Sequence, residues 1–126
     1  MPHTRKDEAP IEVDLPVIEG RYVELDDWTV SFETFPIGSD PAPFFQGLPD
    51  DRCQCPHWGY VVRGEFRVNY ADHSETVRAG DAYYLRPGHL TVLTDGTETV
   101  EFSPTAQLQE TMAVVGANLA KAGSSA

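Results

Sequence analysis

The stretch from His57 to His89, HWGYVVRGEFRVNYADHSETVRAGDAYYLRPGH, carries the clearest information about how this chain folds. Short apolar and aromatic runs in it are separated by turn-forming residues at Arg63-Gly64, residues 71–74, residues 79–81 and Pro87-Gly88. Glycine, proline, aspartate and serine favour turns because of their backbone freedom, fixed φ or local hydrogen bonding. Short strands with turns every eight to twelve residues or so are typical of a β-sandwich or barrel. We therefore predict an all-β fold.

Alternating polarity supports strands both within this stretch and upstream of it. The apolar members of the two clearest runs are Trp28, Val30 and Phe32, and Phe66, Val68 and Tyr70. The polar residues between the first three are Thr29 and Ser31, and Glu33 follows them. Successive side chains of a strand point to opposite faces. We expect each strand to bury its apolar set and to expose its polar set.

The pattern changes at both ends of the chain. Residues 1–15 are charged and interrupted by proline, which predicts a flexible N-terminal arm. Residues 16–102 carry the strands, and residues 103–121 are predicted to form a C-terminal helix, with Ser103 as N-cap and Pro104 in its first turn. Its apolar stripe consists of Leu108, Met112, Val115 and Leu119. This stripe covers either its own barrel or a partner chain. A proline-rich segment, residues 36–52, is predicted to pack over the sheet rather than to act as a gate.

Composition restricts the classes of partner. The chain has 126 residues, a formal net charge of −11 and two cysteines. Nucleic acid and anionic membranes both require a basic surface, so neither is an expected partner. The N-terminal residues lack the apolar stretch of a secretory signal, and no apolar run is long enough to span a membrane. We expect a single soluble domain in the cytoplasm, where its thiols stay reduced.

Three potential metal ligands alternate in Cys53-Gln54-Cys55-Pro56-His57, and His89 follows downstream. In an extended strand, Cys53, Cys55 and His57 would project from one face. Thiolates and imidazoles together suit zinc, or less often ferrous iron. Each residue also has a simpler interpretation, because lone buried cysteines fill cores and a buried histidine often bonds a carbonyl. Taken together, the spacing favours a divalent transition metal, with zinc first and iron as the alternative.

At this point the chain resembles the cupin superfamily. Residues 57–65 resemble the end of the first cupin motif, and residues 79–89 resemble the second, which is moderately specific. The resemblance covers roughly residues 50–102 and implies a small single-domain cupin with a Cys-x-Cys-Pro-His variant of motif 1. It implies a cupin-type jelly-roll β-barrel, here with one C-terminal α-helix.

The ligands of the family do not carry over to this sequence. By the resemblance, the metal-binding glutamate of the family falls on His57, its two histidines on Asp51 and Cys53, and its last histidine on Thr91. The usual set of three histidines and one glutamate is therefore absent. Cys55 and His89 each lie two residues from an expected ligand position, which suggests a site that has moved by one pleat along the sheet. Cys53, Cys55, His57 and His89 are the predicted ligands.

The predicted function is a small metal-binding cupin, and the sequence leaves open its reaction and whether it is an enzyme at all. The alternative is a metal-free module that binds a small molecule or senses oxidants through its thiols. Side chains that could line a ligand pocket are Trp58, Tyr60, Tyr83, Tyr84 and Arg86. A homodimer is expected, because cupins commonly cover apolar edge strands with a second copy.

Overall fold

The computed structural model describes the backbone of residues 2–124 and the side chains of residues 2–121. Within these residues the chain forms nine β-strands, three short 3-10 turns and one α-helix. The strands are β1 Ile11–Leu15, β2 Ile18–Leu25, β3 Trp28–Phe35, β4 His57–Arg63, β5 Glu65–Asn69, β6 Ser74–Arg78, β7 Ala82–Leu85, β8 Leu90–Leu93 and β9 Thr97–Pro104. The helix, α1, spans Thr105–Ser124. The prediction of a β-rich chain with a C-terminal helix is confirmed.

Two antiparallel sheets enclose the interior. One has six strands in the order β1-β2-β3-β9-β4-β7, and the other has three in the order β6-β5-β8. The main core cluster joins Val61 of β4 and Leu85 of β7 to Phe66 and Val68 of β5. The core therefore lies between the sheets. Strand β5 follows its predicted alternation, because Phe66 and Val68 are buried and Arg67 is exposed.

The larger sheet departs from the expected alternation. Val30 of β3 is buried as predicted, but Thr29 and Ser31 are also buried, at 5% and 3% exposed, whereas Trp28 is 44% exposed. The prediction that the polar residues of β3 face solvent is therefore wrong. The prediction failed because the interior next to β3 is a cavity rather than a packed core. Thr29, Ser31 and Glu33 line this cavity.

The two chain ends also differ from prediction. Residues Ile11–Leu15, assigned to the flexible arm, form strand β1 and pair with β2. The helix begins at Thr105, whose N–H donates to the carbonyl of Asp27, and Ser103 and Pro104 belong to β9. Ser103 is not the N-cap, because its side chain points inward and contacts His57 instead.

Helix α1 lies on its own sheets. All four residues of its apolar stripe line the interior cavity. The 36–52 segment packs against the helix, since the Asn118 amide donates to the carbonyls of Phe44 and Gln46 at 2.7 and 2.9 Å. The segment also lines the cavity through Phe44 and Phe45. Its role as packing rather than as a gate stays a prediction. Among residues 2–124, no helix is both long and apolar enough to cross a bilayer.

Candidate metal centre and its cavity

Three potential ligands meet at one end of the cavity. One ligand atom each from Cys53, His57 and His89 lies within 4.8 Å of the other two, and all three residues are buried. Cys53 Sγ lies 3.6 Å from His57 Nε2. His57 is the first residue of β4, while Cys53 and His89 are held together by backbone hydrogen bonds of 3.0 and 3.3 Å. A strand end and a short β-bridge thus fix all three positions.

Hydrogen bonds orient both imidazoles. Nδ1 of His89 donates to the carbonyl of Arg86 at 2.7 Å, so its Nε2 carries the lone pair. Nδ1 of His57 lies 2.7 Å from Ser103 Oγ and 3.7 Å from a carboxylate oxygen of Glu101. We assign the proton to Nδ1, with the Ser103 hydroxyl as its acceptor, because Nε2 is the nitrogen that lies beside Cys53 Sγ. Second partners of this kind are usual for histidines that bind metal through the other nitrogen.

Burial sets the protonation of the three groups. It lowers the pKa of His57 to about 4, and burial together with the neighbouring His57 lowers the pKa of His89 to about 4. Both rings are therefore neutral at physiological pH, as metal binding requires. Burial raises the pKa of the Cys53 thiol to about 12. A bound cation would deprotonate that thiol, as a coordinated metal does in general.

The structure does not bring Cys55 into this group. Its Sγ is directed to the carbonyl of Pro56 at 3.5 Å, and burial raises its thiol pKa to about 11. The prediction that Cys53 and Cys55 share a face is wrong because β4 begins only at His57, so the two-residue period does not extend to them. Asp51 is also elsewhere, exposed in a 3-10 turn. The proposed shift by one pleat therefore does not hold on this segment.

The predicted pocket aromatics are largely on the wrong side of the sheet. Trp58, Tyr60 and Tyr84 are 57%, 48% and 45% exposed on its outer face. Arg86 lies over the ring of Tyr70 at the surface. Tyr83 is buried and donates a hydrogen bond to Glu101. The aromatic pattern identified strands correctly but not the face that each strand turns inward.

The cavity beside the three candidate ligands measures about 680 Å³. Helix α1, Phe44 and Phe45 supply an apolar wall, and the six-stranded sheet supplies a polar one. Cys53, His57 and His89 line the same space. This volume lies within the range of roughly 300–1,000 Å³ that is usual for small-molecule sites.

Two glutamates on the polar wall were missed by the sequence analysis. Glu33 accepts the Tyr22 hydroxyl at 2.9 Å, and Glu101 accepts the Tyr83 hydroxyl at 2.7 Å. Burial and the nearby Glu101 charge raise the pKa of Glu33 to about 8, and burial raises that of Glu101 to about 7. The same environment raises the pKa of both tyrosines. Glu33 was assigned to solvent because strand periodicity does not say which face is interior, and Glu101 was not singled out at all.

Glycines in the middle of strands are the sequence signal that could have predicted these buried tyrosine–glutamate pairs. Gly59 lies opposite both Glu101 and Tyr83 in the sheet. A Cβ there would lie 2.5 Å from the phenol end of Tyr83. A glycine inside a strand often marks a close approach of another group, here a tyrosine ring reaching for a carboxylate.

Comparison with known proteins identifies the fold. No protein-family model and no curated protein sequence matches this chain. An RmlC-like cupin from Shewanella frigidimarina is 19% identical with a TM-score of 0.58, over 80% of this chain and 88% of that one. KdgF from a Halomonas species is 22% identical with a TM-score of 0.57, over 79% and 90%.

A larger enzyme shares the same architecture. A single-residue variant of oxalate decarboxylase from Bacillus subtilis is 15% identical with a TM-score of 0.57, over 78% of this chain but only 28% of that one. At these identities, the similarity concerns the fold and carries no activity across. The resemblance inferred from residues 57–65 and 79–89 is confirmed at this level, and the chain has the cupin fold.

Proposed function

We propose that this protein is a metal-binding cupin that holds one divalent transition metal through Cys53, His57 and His89. The observation that carries the proposal is the convergence of their ligand atoms within 4.8 Å of one another at the wall of the cavity. A neutral, oriented imidazole pair beside a thiol supports it further. We further propose that the two sheets form a jelly-roll β-barrel, as the resemblance to cupins implies.

The donor set fits zinc best, and ferrous iron next. Oxalate decarboxylase of B. subtilis has Mn(II) centres, but manganese prefers carboxylate and water oxygen. A thiolate with two imidazoles is softer and suits zinc. Three protein ligands beside a cavity resemble a catalytic rather than a structural zinc site, and a zinc ion there would supply Lewis acidity to a bound small molecule.

The alternative, a metal-free thiol sensor, has less support. Reactive cysteines are partly exposed and have a lowered pKa. Cys53 and Cys55 are 4% and 1% exposed, and the pKa of each is raised. Metal-free binding of a small molecule in the cavity remains compatible with the geometry. The cytoplasm stays the predicted compartment.

Metal analysis with two matched cysteine variants tests the proposal. Protein purified without chelator should contain about one equivalent of zinc or iron. Cobalt(II) added to the metal-free protein should give thiolate-to-cobalt charge-transfer absorption, because cobalt takes zinc sites readily. Cys53→Ser should abolish that absorption and weaken zinc binding by at least about tenfold. Cys55→Ser is the control, since Cys55 is equally buried but lies outside the group.

Two results would contradict the proposal. One is a metal-free protein that binds neither zinc nor cobalt. The other is an equal loss in both serine variants, which would mean that Cys55 contributes a ligand after all.

We also propose that the chain forms a homodimer through the outer face of the six-stranded sheet. Trp28, Trp58, Tyr60, Tyr84 and Phe102 are each more than two-fifths exposed on that face. Strand pairing places Phe102 beside Trp58, and Trp58 beside Tyr84, so these side chains form one continuous surface. Monomeric proteins rarely expose so many adjacent aromatic side chains. A second copy of the same face would cover them.

A further inference from the structure

We infer that the cavity binds a small organic cation, a protonated amine on an apolar body, with its ammonium group at the carboxylates of Glu33 and Glu101. The inference deepens the proposed function, because it names the class of molecule that occupies the cavity beside the metal ligands. It uses none of those three ligands itself.

The first support is the position of the two carboxylates. Glu33 pairs with Thr99 and Glu101 with Ser31 across β3 and β9, so the two glutamates are diagonal neighbours on one face. Both line the cavity. Diagonal neighbours of this kind place two long side chains within reach of one ligand atom.

The second support is that each carboxylate is held in place from behind and keeps an oxygen for a ligand. Tyr22 donates to Oε2 of Glu33, and among residues 2–121 no hydrogen bond reaches its Oε1. Tyr83 donates to Oε1 of Glu101, whose Oε2 lies 3.7 Å from His57 Nδ1. Carboxylates that hydrogen-bond a charged donor make contacts about twice as strong as neutral ones.

The third support is that two glycines make both arrangements possible. A Cβ on Gly20 would collide with the phenol of Tyr22, and a Cβ on Gly59 would collide with that of Tyr83. Each tyrosine ring thus lies across a glycine to reach its glutamate. The same three-residue device occurs twice on one sheet, once for each acid. Two such devices indicate a constructed recognition surface rather than an isolated buried acid.

The charge of the wall selects the sign of the ligand. The charged residues that line the cavity are Glu12, Glu24, Glu33 and Glu101, and no lysine or arginine of the described chain lines it. A cavity with charge of one sign attracts ligands of the opposite sign and repels those of its own. An anionic ligand, such as a carboxylate or a phosphate ester, would meet no lysine or arginine there, and both histidines of the lining are neutral.

The apolar part of the lining selects an apolar body. Leu108, Met112, Val115 and Leu119 of α1 line the same cavity as the two acids, together with Phe44. A ligand that spans the space would contact aliphatic and aromatic carbon at one end and carboxylate oxygen at the other. Cavities with mostly apolar walls and a few placed polar groups typically orient their ligands in this way.

Three probes with one apolar chain and different head groups test the inference: hexylamine, hexan-1-ol and hexanoate. Isothermal titration is run at about pH 9, where Glu33 and Glu101, with pKa values raised to about 8 and about 7, are ionised and an alkylamine with a pKa near that of lysine remains protonated. Hexylamine should bind at least about tenfold more tightly than hexan-1-ol, and hexanoate should show no binding. Equal affinity for the amine and the alcohol would overturn the inference. So would tighter binding of hexanoate.

A matched pair of glutamine variants locates the head group. Glu33→Gln keeps the shape and the acceptor for Tyr22 but removes the charge, so hexylamine should lose about tenfold in affinity. Glu65→Gln is the control, because Glu65 is an exposed glutamate of β5 that is not among the residues lining the cavity. An unchanged affinity in Glu33→Gln would overturn the inference. The comparison of the three probes on the wild-type protein needs no variant to fold.

Repeating the titrations on chelator-treated protein and on Cys53→Ser separates this inference from the metal proposal. Preference for the amine in both, with no cobalt absorption in the wild type, would uphold the cation site and reject the metal proposal. Cobalt absorption in the wild type with no preference for the amine would uphold the metal proposal and reject the cation site.

Discussion

Replacing Ser103 with alanine should weaken metal binding without removing any ligand. The Ser103 hydroxyl is fully buried and lies 2.7 Å from Nδ1 of His57. Without it, the nearest acceptor for Nδ1–H is the Glu101 carboxylate at 3.7 Å, which is too far for a good hydrogen bond. Loss of a second partner of this kind typically costs about 10- to 100-fold in metal affinity. That corresponds to about 1.4 to 2.8 kcal/mol.

The assay is a competition titration of zinc against a chromophoric chelator, with cobalt absorption as a second reading. Ser31→Ala is the control, because Ser31 is equally buried on the neighbouring strand and also lines the cavity. The metal-free Ser103→Ala protein should also lose roughly 1–3 kcal/mol of unfolding free energy from an unsatisfied buried donor. If its zinc affinity stays within about twofold of the Ser31→Ala protein, the argument that Ser103 orients His57 is wrong.

Three further predictions concern the sheet itself. Gly59→Ala should lower the free energy of unfolding by about 1–3 kcal/mol in denaturant titrations, since the new Cβ would also lie 2.8 Å from the Val100 carbonyl. Gly116→Ala, with open space around it, should be neutral or stabilising. Equal effects would contradict the argument that the Tyr83 ring occupies the space that Gly59 leaves. The raised pKa of Glu33 means that the folded state binds the proton more tightly. Its stabilising contribution is therefore complete below the ordinary pKa near 4.5 and is lost as pH rises through about 8. The melting temperature of metal-free Glu33→Gln should therefore fall less with rising pH than that of the wild type. The difference in unfolding free energy should be on the order of a few kcal/mol, and parallel curves for the two proteins would contradict the prediction. Trp58→Lys should halve the mass found by light scattering with the fold intact, and a wild type that is monomeric at high concentration would refute the homodimer.

The overall fold was predictable because turn residues and two-residue alternation act locally. Glycine and proline positions between residues 57 and 89 located most of the turns, and β5 followed its pattern in full. Alternation separates the two faces of a strand but does not say which face is interior. In β3 the interior is a cavity with a polar wall, so Thr29 and Ser31 are buried while Trp28 is exposed. Only tertiary structure decides that choice.

The candidate site was predictable in part for the same reason. Cys53, His57 and His89 were recognised by residue type and by their place in two motifs. Cys55 was included because alternation was extended past the start of β4, into residues outside the regular strand, where Cys53 forms an isolated bridge with His89. Glu33 and Glu101 were missed because a charged residue on a strand is usually solvated. Their burial depends on long-range pairing of β3 with β9, which no local pattern encodes.

The donor set has a consequence for how far this site departs from the cupin pattern. By the resemblance, Cys53 and His57 stand where a histidine and the glutamate of the family would be, and the structure keeps both in the cavity wall. Two positions differ, because His89 rather than Thr91 belongs to the group and Asp51 lies outside it. The family set of three histidines and one glutamate carries one negative charge, and so do one thiolate and two neutral imidazoles. The exchange therefore preserves the charge around a bound cation while it replaces an oxygen donor with a softer sulfur donor, which favours zinc over manganese. Four protein ligands would also become three, so a metal bound as proposed above would keep a coordination position for a molecule in the cavity.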